Sequence, residues 1–293
     1  MSVIYSIMDV ILPFEFMHYM FMKNALLAIL LVTPLFGMLG TMAVDNKMAF
    51  FSDALGHSAL TGIAIGVVLG MQNQMAAMLV FGILWAILIT FVRHHSKMSA
   101  DTIISVFSST SIALGLVILS RGGAFAKYSS VLVGDVLSVT QGDLLALLLT
   151  LIVTAVCWLF LFNPLMITSV NASLARSRGI HARMTEYAFT ILVAVSVMMS
   201  IRWVGVMLIN SLLILPAAAS RNVARSAAGY MRLSVLISLV CGVTGLVLSY
   251  YLNTSAGAAI VLVCAAAYFA TLPMRRKCAL KTTFQHLRIG NII

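Results

Sequence analysis

An aspartate and a histidine four residues apart interrupt an apolar stretch, Phe50-Phe51-Ser52-Asp53-Ala54-Leu55-Gly56-His57-Ser58-Ala59-Leu60-Thr61-Gly62. On a helix this spacing sets Asp53 and His57 one turn apart on the same face, with Thr61 continuing the stripe. A carboxylate oxygen and a neutral imidazole nitrogen so arranged can bind a borderline divalent cation such as Zn²⁺ or Mn²⁺. The same two groups can also form a buried hydrogen-bonded pair that fixes helix packing, and the spacing allows both. Two ligands hold an ion weakly, which suits a site the ion must leave again better than a four-ligand structural site. Beside this face runs Ala54, Ser58, Gly62, Gly66 and Gly70, a row of small residues that lets another helix approach closely.

Other polar residues in the apolar runs offer less. Asp101 fits an N-cap or a first-turn acid favoured by the helix dipole. Ser105, Ser108, Ser109 and Ser111 make the following span polar enough to prefer the interior of a bundle. His94 and His95 lie between Arg93 and Lys97 and read as solvated loop residues. Asn210 and Pro216 interrupt a later span, as a hinge or as ordinary packing with a kink. No P-loop, HExxH, GxSxG or dinucleotide fingerprint is present, which argues against catalysis on this chain.

Elements to position these residues follow from composition. Of 293 residues 62% are apolar and 9% charged, with a mean hydropathy of +1.08, excluding an ordinary soluble domain. A spanning helix needs about 20 apolar residues, and segments of that kind fall at 25–44, 48–70, 75–92, 101–120, 144–162, 184–201, 203–220, 231–252 and 255–273. The expected fold is therefore an all-α polytopic membrane protein with 8–9 spans. The stretch Tyr128 to Asp143 is too short and polar to span and is expected to form a short re-entrant or interfacial helix. Residues 1–22 are expected at the interface, 23–273 as one transmembrane domain and 274–293 as a basic cytoplasmic tail. The first cation is Lys23, so no basic leader precedes an apolar core and the N-terminus is expected to be retained.

The net charge of +10 reads as loop charge rather than as nucleic-acid binding. With the C-terminus in the cytoplasm, fourteen of the eighteen Lys and Arg fall on the inner side and four outside, as the positive-inside rule requires. The four cysteines form no CxxC pair and imply neither a disulfide framework nor a thiolate cage. In the longest polar connection, Asn163 to Arg183, residues Asn171 to Arg178 are expected to form a short basic helix that Gly179 stops.

Five blocks now stand in order: Met48 to Gly62; Asp101-Thr102; Leu132-Val133-Gly134-Asp135-Val136-Leu137; Ala175 with Gly179; and Val204-Gly205-Val206-Met207-Leu208 through Leu215-Pro216-Ala217-Ala218-Ala219. In these the chain resembles, over about residues 20–275, the permease subunits of metal-ion ABC importers. The resemblance implies an ABC importer permease architecture in a bacterial inner membrane. It also implies a second permease chain, identical or paralogous, an ATPase subunit that hydrolyses ATP, and a periplasmic or surface solute-binding protein. The permease itself would be no enzyme and would hold no cofactor. Asp53 and His57 match the family's intramembrane metal-coordinating pair. Ser173, Leu174, Ala175, Arg176, Ser177, Arg178, Gly179 and Ile180 match the coupling segment that seats in the ATPase.

The chain departs from the family at Thr61, where proline is usual, and at Asn171 and Ser173, where acids are common. Zinc is the expected cargo, ahead of manganese or iron, because histidine with carboxylate suits it and because Arg202 to Ser226 resembles the zinc-uptake branch. The alternative from another class is an ion-coupled secondary transporter that uses Asp53 and His57 as a proton relay and needs no ATPase.

Overall fold

The computed structural model describes residues 19–121, 134, 136–170 and 172–289, which form helices and their connections without a strand. Helix α1 is Met20–Asp45, α2 Phe51–Val68, α3 Gln74–His95 and α4 Ala100–Arg121. A 3-10 turn at Val136–Ser138 precedes α5, Gln141–Val170, and the short α6, Ala172–Ser177. Then follow α7 Ala182–Val204, α8 Val206–Val223, α9 Ala227–Leu252 and α10 Ala256–Ile289. Among the described residues nine helices, all but α6, are long and apolar enough to cross a membrane, and they coincide with the nine expected segments. Helices are the form such a chain must take, because in hydrocarbon every backbone N–H and C=O needs a partner within its own segment.

Two expected boundaries differ. Helix α5 continues through Pro164 to Val170, and α10 through Pro273 to Ile289, so neither ends where its apolar run does. Of the N-terminal segment, residues 1–18 lie outside the described residues, and Met20 to Met22 already belong to α1. Of the expected interfacial stretch, 128–133 and Asp135 also lie outside; the rest holds the 3-10 turn, and Gln141 opens α5. Val136 and Val139 are buried, and the Val139 carbonyl accepts from Asn24 Nδ2 at 3.0 Å, which ties this turn to α1.

Helix α2 lies between α3 and α4, with α7 and α8 also against it, and 72% of its residues are buried. The small-residue row explains how. A Cβ at Gly62 would stand 2.8 Å from Met78 Cα, and one at Gly66 would stand 2.6 Å from Ala77 Cβ, so α2 and α3 cross at backbone distance there. Between helices that share an apolar solvent, such contact by small residues supplies the packing. Leu149, Leu159, Phe160 and Leu262 are exposed on the outer surface, as lipid-facing residues would be.

A second close approach fixes α8. Gly205, at φ +79°, ends α7 and opens α8 as a single linking residue. Gly134, at φ +66°, lies against it, and a Cβ there would fall 2.2 Å from the Gly205 nitrogen. Both positions require the left-handed region, and no side chain fits between them.

Ion pairs collect at the opposite end of α8. Arg221 Nη1 lies 3.4 Å from Asp45 Oδ1. The end of α3 is joined to the start of α7 by Glu186, with Oε1 2.7 Å from Arg93 Nη1 and Oε2 3.2 Å from His94 Nε2. His94 is thus partly buried against the Glu186 carboxylate rather than the solvated loop residue expected, because α7 brings Glu186 over it. His95 is exposed, its Nδ1 2.8 Å from the Phe91 carbonyl.

Candidate functional site

Asp53 stands in the first turn of α2 and His57 one turn on, with Asp53 Oδ1 3.6 Å from His57 Nε2. An ion bound by histidine nitrogen and carboxylate oxygen sits about 2.0–2.2 Å from each, so one ion between these two atoms spans such a gap. Both side chains are partly open, at 38% for Asp53 and 27% for His57, while Phe51, Ala54, Leu55 and Ser58 around them are buried. The pair therefore faces outward from a packed helix, on a stripe that continues with the exposed Phe50.

Two further helices reach Asp53. Asn210 of α8 donates from Nδ2 to Asp53 Oδ1 at 2.7 Å, and the Ser108 hydroxyl of α4 stands at 3.5 Å from Oδ2. Asn210 lies eleven residues before Arg221 on α8, about 16 Å along the helix axis, so the site stands away from the charged end of that helix. Among the described residues no third His, Cys, Asp or Glu gathers with this pair. The donor set on one chain is therefore a carboxylate and an imidazole, flanked by an amide and a hydroxyl.

Thr61 does not extend the donor stripe. Its hydroxyl is buried and donates to the Ser111 carbonyl of α4, in the space that Gly115 leaves beside it. The serines of α4 divide: Ser108 is half-buried toward Asp53 and Ser111 is buried, whereas Ser105 and Ser109 are exposed. The helix expected to prefer the bundle interior is only 28% buried over its span, because α4 packs on α2 along one side and leaves the other open. Asp101 lies exposed in the first turn of α4, and the cap is Ser99, whose Oγ accepts from the Thr102 N–H at 3.2 Å.

The segment Ser173 to Ile180, expected to couple to an ATPase, folds as a short helix and its closing turn. Ser173, Leu174, Ala175, Arg176 and Ser177 lie in α6, and Gly179 at φ +72° closes it. Ile180 N–H donates to the Ala175 carbonyl and Gly179 N–H to the Arg176 carbonyl, both at 3.0 Å, the paired bonds of a glycine-terminated helix. Ala175 is fully buried, whereas Ser173, Arg176, Ser177 and Arg178 are exposed. Next to it a cleft of about 870 Å³ is lined by His94, Arg176, Gly179, His181, Arg183 and Tyr187, so the surface offered here is basic.

The ABC 3 transport family matches residues 18–275. The chain belongs to that family. It is 30% identical over 254 residues to the high-affinity zinc uptake system membrane protein ZnuB of Haemophilus influenzae, covering 86% of this chain and 97% of the relative. With the manganese import system permease protein ScaB of Streptococcus parasanguinis it shares 29% identity over 263 residues, 89% of this chain and 94% of the relative. The solved structure of PsaBC from Streptococcus pneumoniae in complex with Fab superposes with a TM-score of 0.77 at 27% identity, covering 96% of this chain and all of that one. As a member of the ABC 3 transport family the chain is a membrane-spanning transport subunit and not an enzyme.

Sequence reasoning set Asp53 and His57 on one face and expected a short helix closed by Gly179, as the structure shows, but it left the part of Asn210 open. The one available signal was an amide in an otherwise apolar span, which does not name its partner.

Proposed function

We propose that the chain is the permease subunit of an ATP-driven importer of divalent transition metal, with zinc as cargo. The observation that carries this reading is the pair Asp53 and His57, held 3.6 Å apart inside a span with their donor atoms partly open. A carboxylate oxygen and an imidazole nitrogen suit zinc, and two donors from one chain bind it loosely enough to pass on. The named relatives handle zinc or manganese, which supports a metal of this class.

The outward stripe of Phe50, Asp53 and His57 is where a second permease chain, a like or paralogous copy, completes the path with its own pair. The basic α6 and the cleft beside it seat an ATPase subunit, which supplies ATP hydrolysis. A solute-binding protein delivers the metal on the opposite side. The excess of cations in the loops that would face inward supports a cytoplasmic position for α6 and the C-terminus in a bacterial inner membrane. Cycles of the ATPase rock the helices and open the path to each side in turn.

Reconstituted vesicles with the ATPase and binding protein test this. Zinc enters only when ATP is supplied on the ATPase side; uptake driven by a pH gradient without ATP would instead establish a proton-coupled carrier.

A further inference from the structure

We propose that Asn210 is a positioning residue of the metal site, holding the Asp53 carboxylate turned toward His57; this rests on Asp53 and His57 being the cargo ligands. The bond from Asn210 Nδ2 falls on Asp53 Oδ1 at 2.7 Å, the same oxygen that stands 3.6 Å from His57 Nε2. Among the described residues the other carboxylate oxygen has only the Ser108 hydroxyl at 3.5 Å, the outer limit of a hydrogen bond. Rotation of a carboxylate about its last torsion is soft. Here Asn210 fixes it, and a second lone pair of Oδ1 remains for an ion on the His57 side.

Two features separate Asn210 from a residue that merely packs. The adjacent Ser211 returns its hydroxyl to the Met207 carbonyl of its own helix, whereas Asn210 bridges to the ionisable Asp53 of α2, unlike Asn222 of the same helix, whose amide meets the Thr271 hydroxyl. The Asn210 Oδ1 is also buried without a hydrogen-bond partner among the described residues. A buried unsatisfied carbonyl is costly, and leucine would fill a similar volume without that cost. The amide is accounted for by what its other end does at Asp53. Groups that orient a metal ligand in this way typically contribute about 10–100-fold in metal affinity.

The test uses the purified permease with its ATPase, titrated with Zn²⁺, and with Co²⁺ as a spectroscopic probe of ligand geometry. Asn210→Leu keeps the volume and removes the donor; Asn210→Ala makes the same test should the leucine variant fail to assemble. The expected result is zinc binding weakened by about tenfold or more, with altered cobalt d–d bands, while Asp53→Ala binds neither ion. Wild-type binding in the Asn210 variants beside lost binding in Asp53→Ala overturns the role of Asn210 and leaves the metal pair standing. Weaker binding with unchanged cobalt bands also overturns it, in favour of general packing. Wild-type binding by Asp53→Ala overturns the metal pair itself, and the role of Asn210 with it.

Discussion

Arg93 Nη1 lies 2.7 Å from Glu186 Oε1, joining the end of α3 to the start of α7, and His94 approaches the other carboxylate oxygen at 3.2 Å. One carboxylate thus serves two basic groups with little access to water. Removing one partner of a fully buried pair costs about 3–5 kcal/mol. The side chains of Arg93 and Glu186 are 15% and 24% exposed, so the expected loss for Glu186→Ala is about 2 kcal/mol. Thermal unfolding in detergent measures it, and an apparent midpoint several degrees below wild type is the predicted result.

Gly134 permits no side chain. A methyl group there would sit 2.2 Å from the Gly205 nitrogen at a φ of +66°, and backbone rather than a flexible side chain would have to move. Overpacking a well-filled site costs about 1–3 kcal/mol, and the left-handed backbone adds about 1–2 kcal/mol for a non-glycine residue. Gly134→Ala is expected to reduce the yield of monodisperse protein sharply, read by size-exclusion chromatography. Gly257→Ala, at a glycine with nothing within 4 Å of its Cβ position, is the matched control and should behave as wild type.

Fold and site were legible in the sequence to different depths. Hydropathy located all nine spans because length in hydrocarbon is a local property. The spacing of Asp53 and His57 gave their shared face for the same reason, since both lie on one helix. What escaped depends on partners distant in the chain. Asn210 meets Asp53 across 157 residues, and His94 meets Glu186 from another helix, so neither pairing leaves a local pattern. The apolar runs end at 162 and 273, but the helices continue past them through Pro164 and Pro273, because hydropathy marks the part that suits hydrocarbon and not where the helix stops. Ser105 and Ser109 face outward because α4 packs on one side, which a polar count along the helix cannot distinguish.

The exposed cations of α6 give a charge-reversal test. Arg176 and Arg178 are exposed beside the basic cleft, while Ala175 beneath them is fully buried, so changing the arginines leaves the fold of the segment intact. Arg176→Glu with Arg178→Glu is expected to lower recovery of the ATPase with the permease by about tenfold, the effect of roughly 1.4 kcal/mol. Affinity co-purification at matched membrane expression measures it, and unchanged recovery would remove these arginines from the docking surface.

Helix crossing at the small-residue row can be probed without touching the site. Gly66→Leu would drive a side chain into Ala77, whose Cβ already lies 2.6 Å from the position of a Cβ at residue 66. A loss of about 1–3 kcal/mol is expected, seen as a lower melting midpoint in detergent.

The most direct measurement of the central claim is zinc uptake by cells lacking their own zinc importer. They would express this permease, or its Asp53→Ala or His57→Ala variant, with the ATPase and solute-binding partners at matched membrane levels. The prediction is that each substitution lowers zinc accumulation at least tenfold, toward background, while ATPase co-purification is unchanged. Full uptake by both variants would contradict it and leave Asp53 and His57 as a packing pair off the metal path.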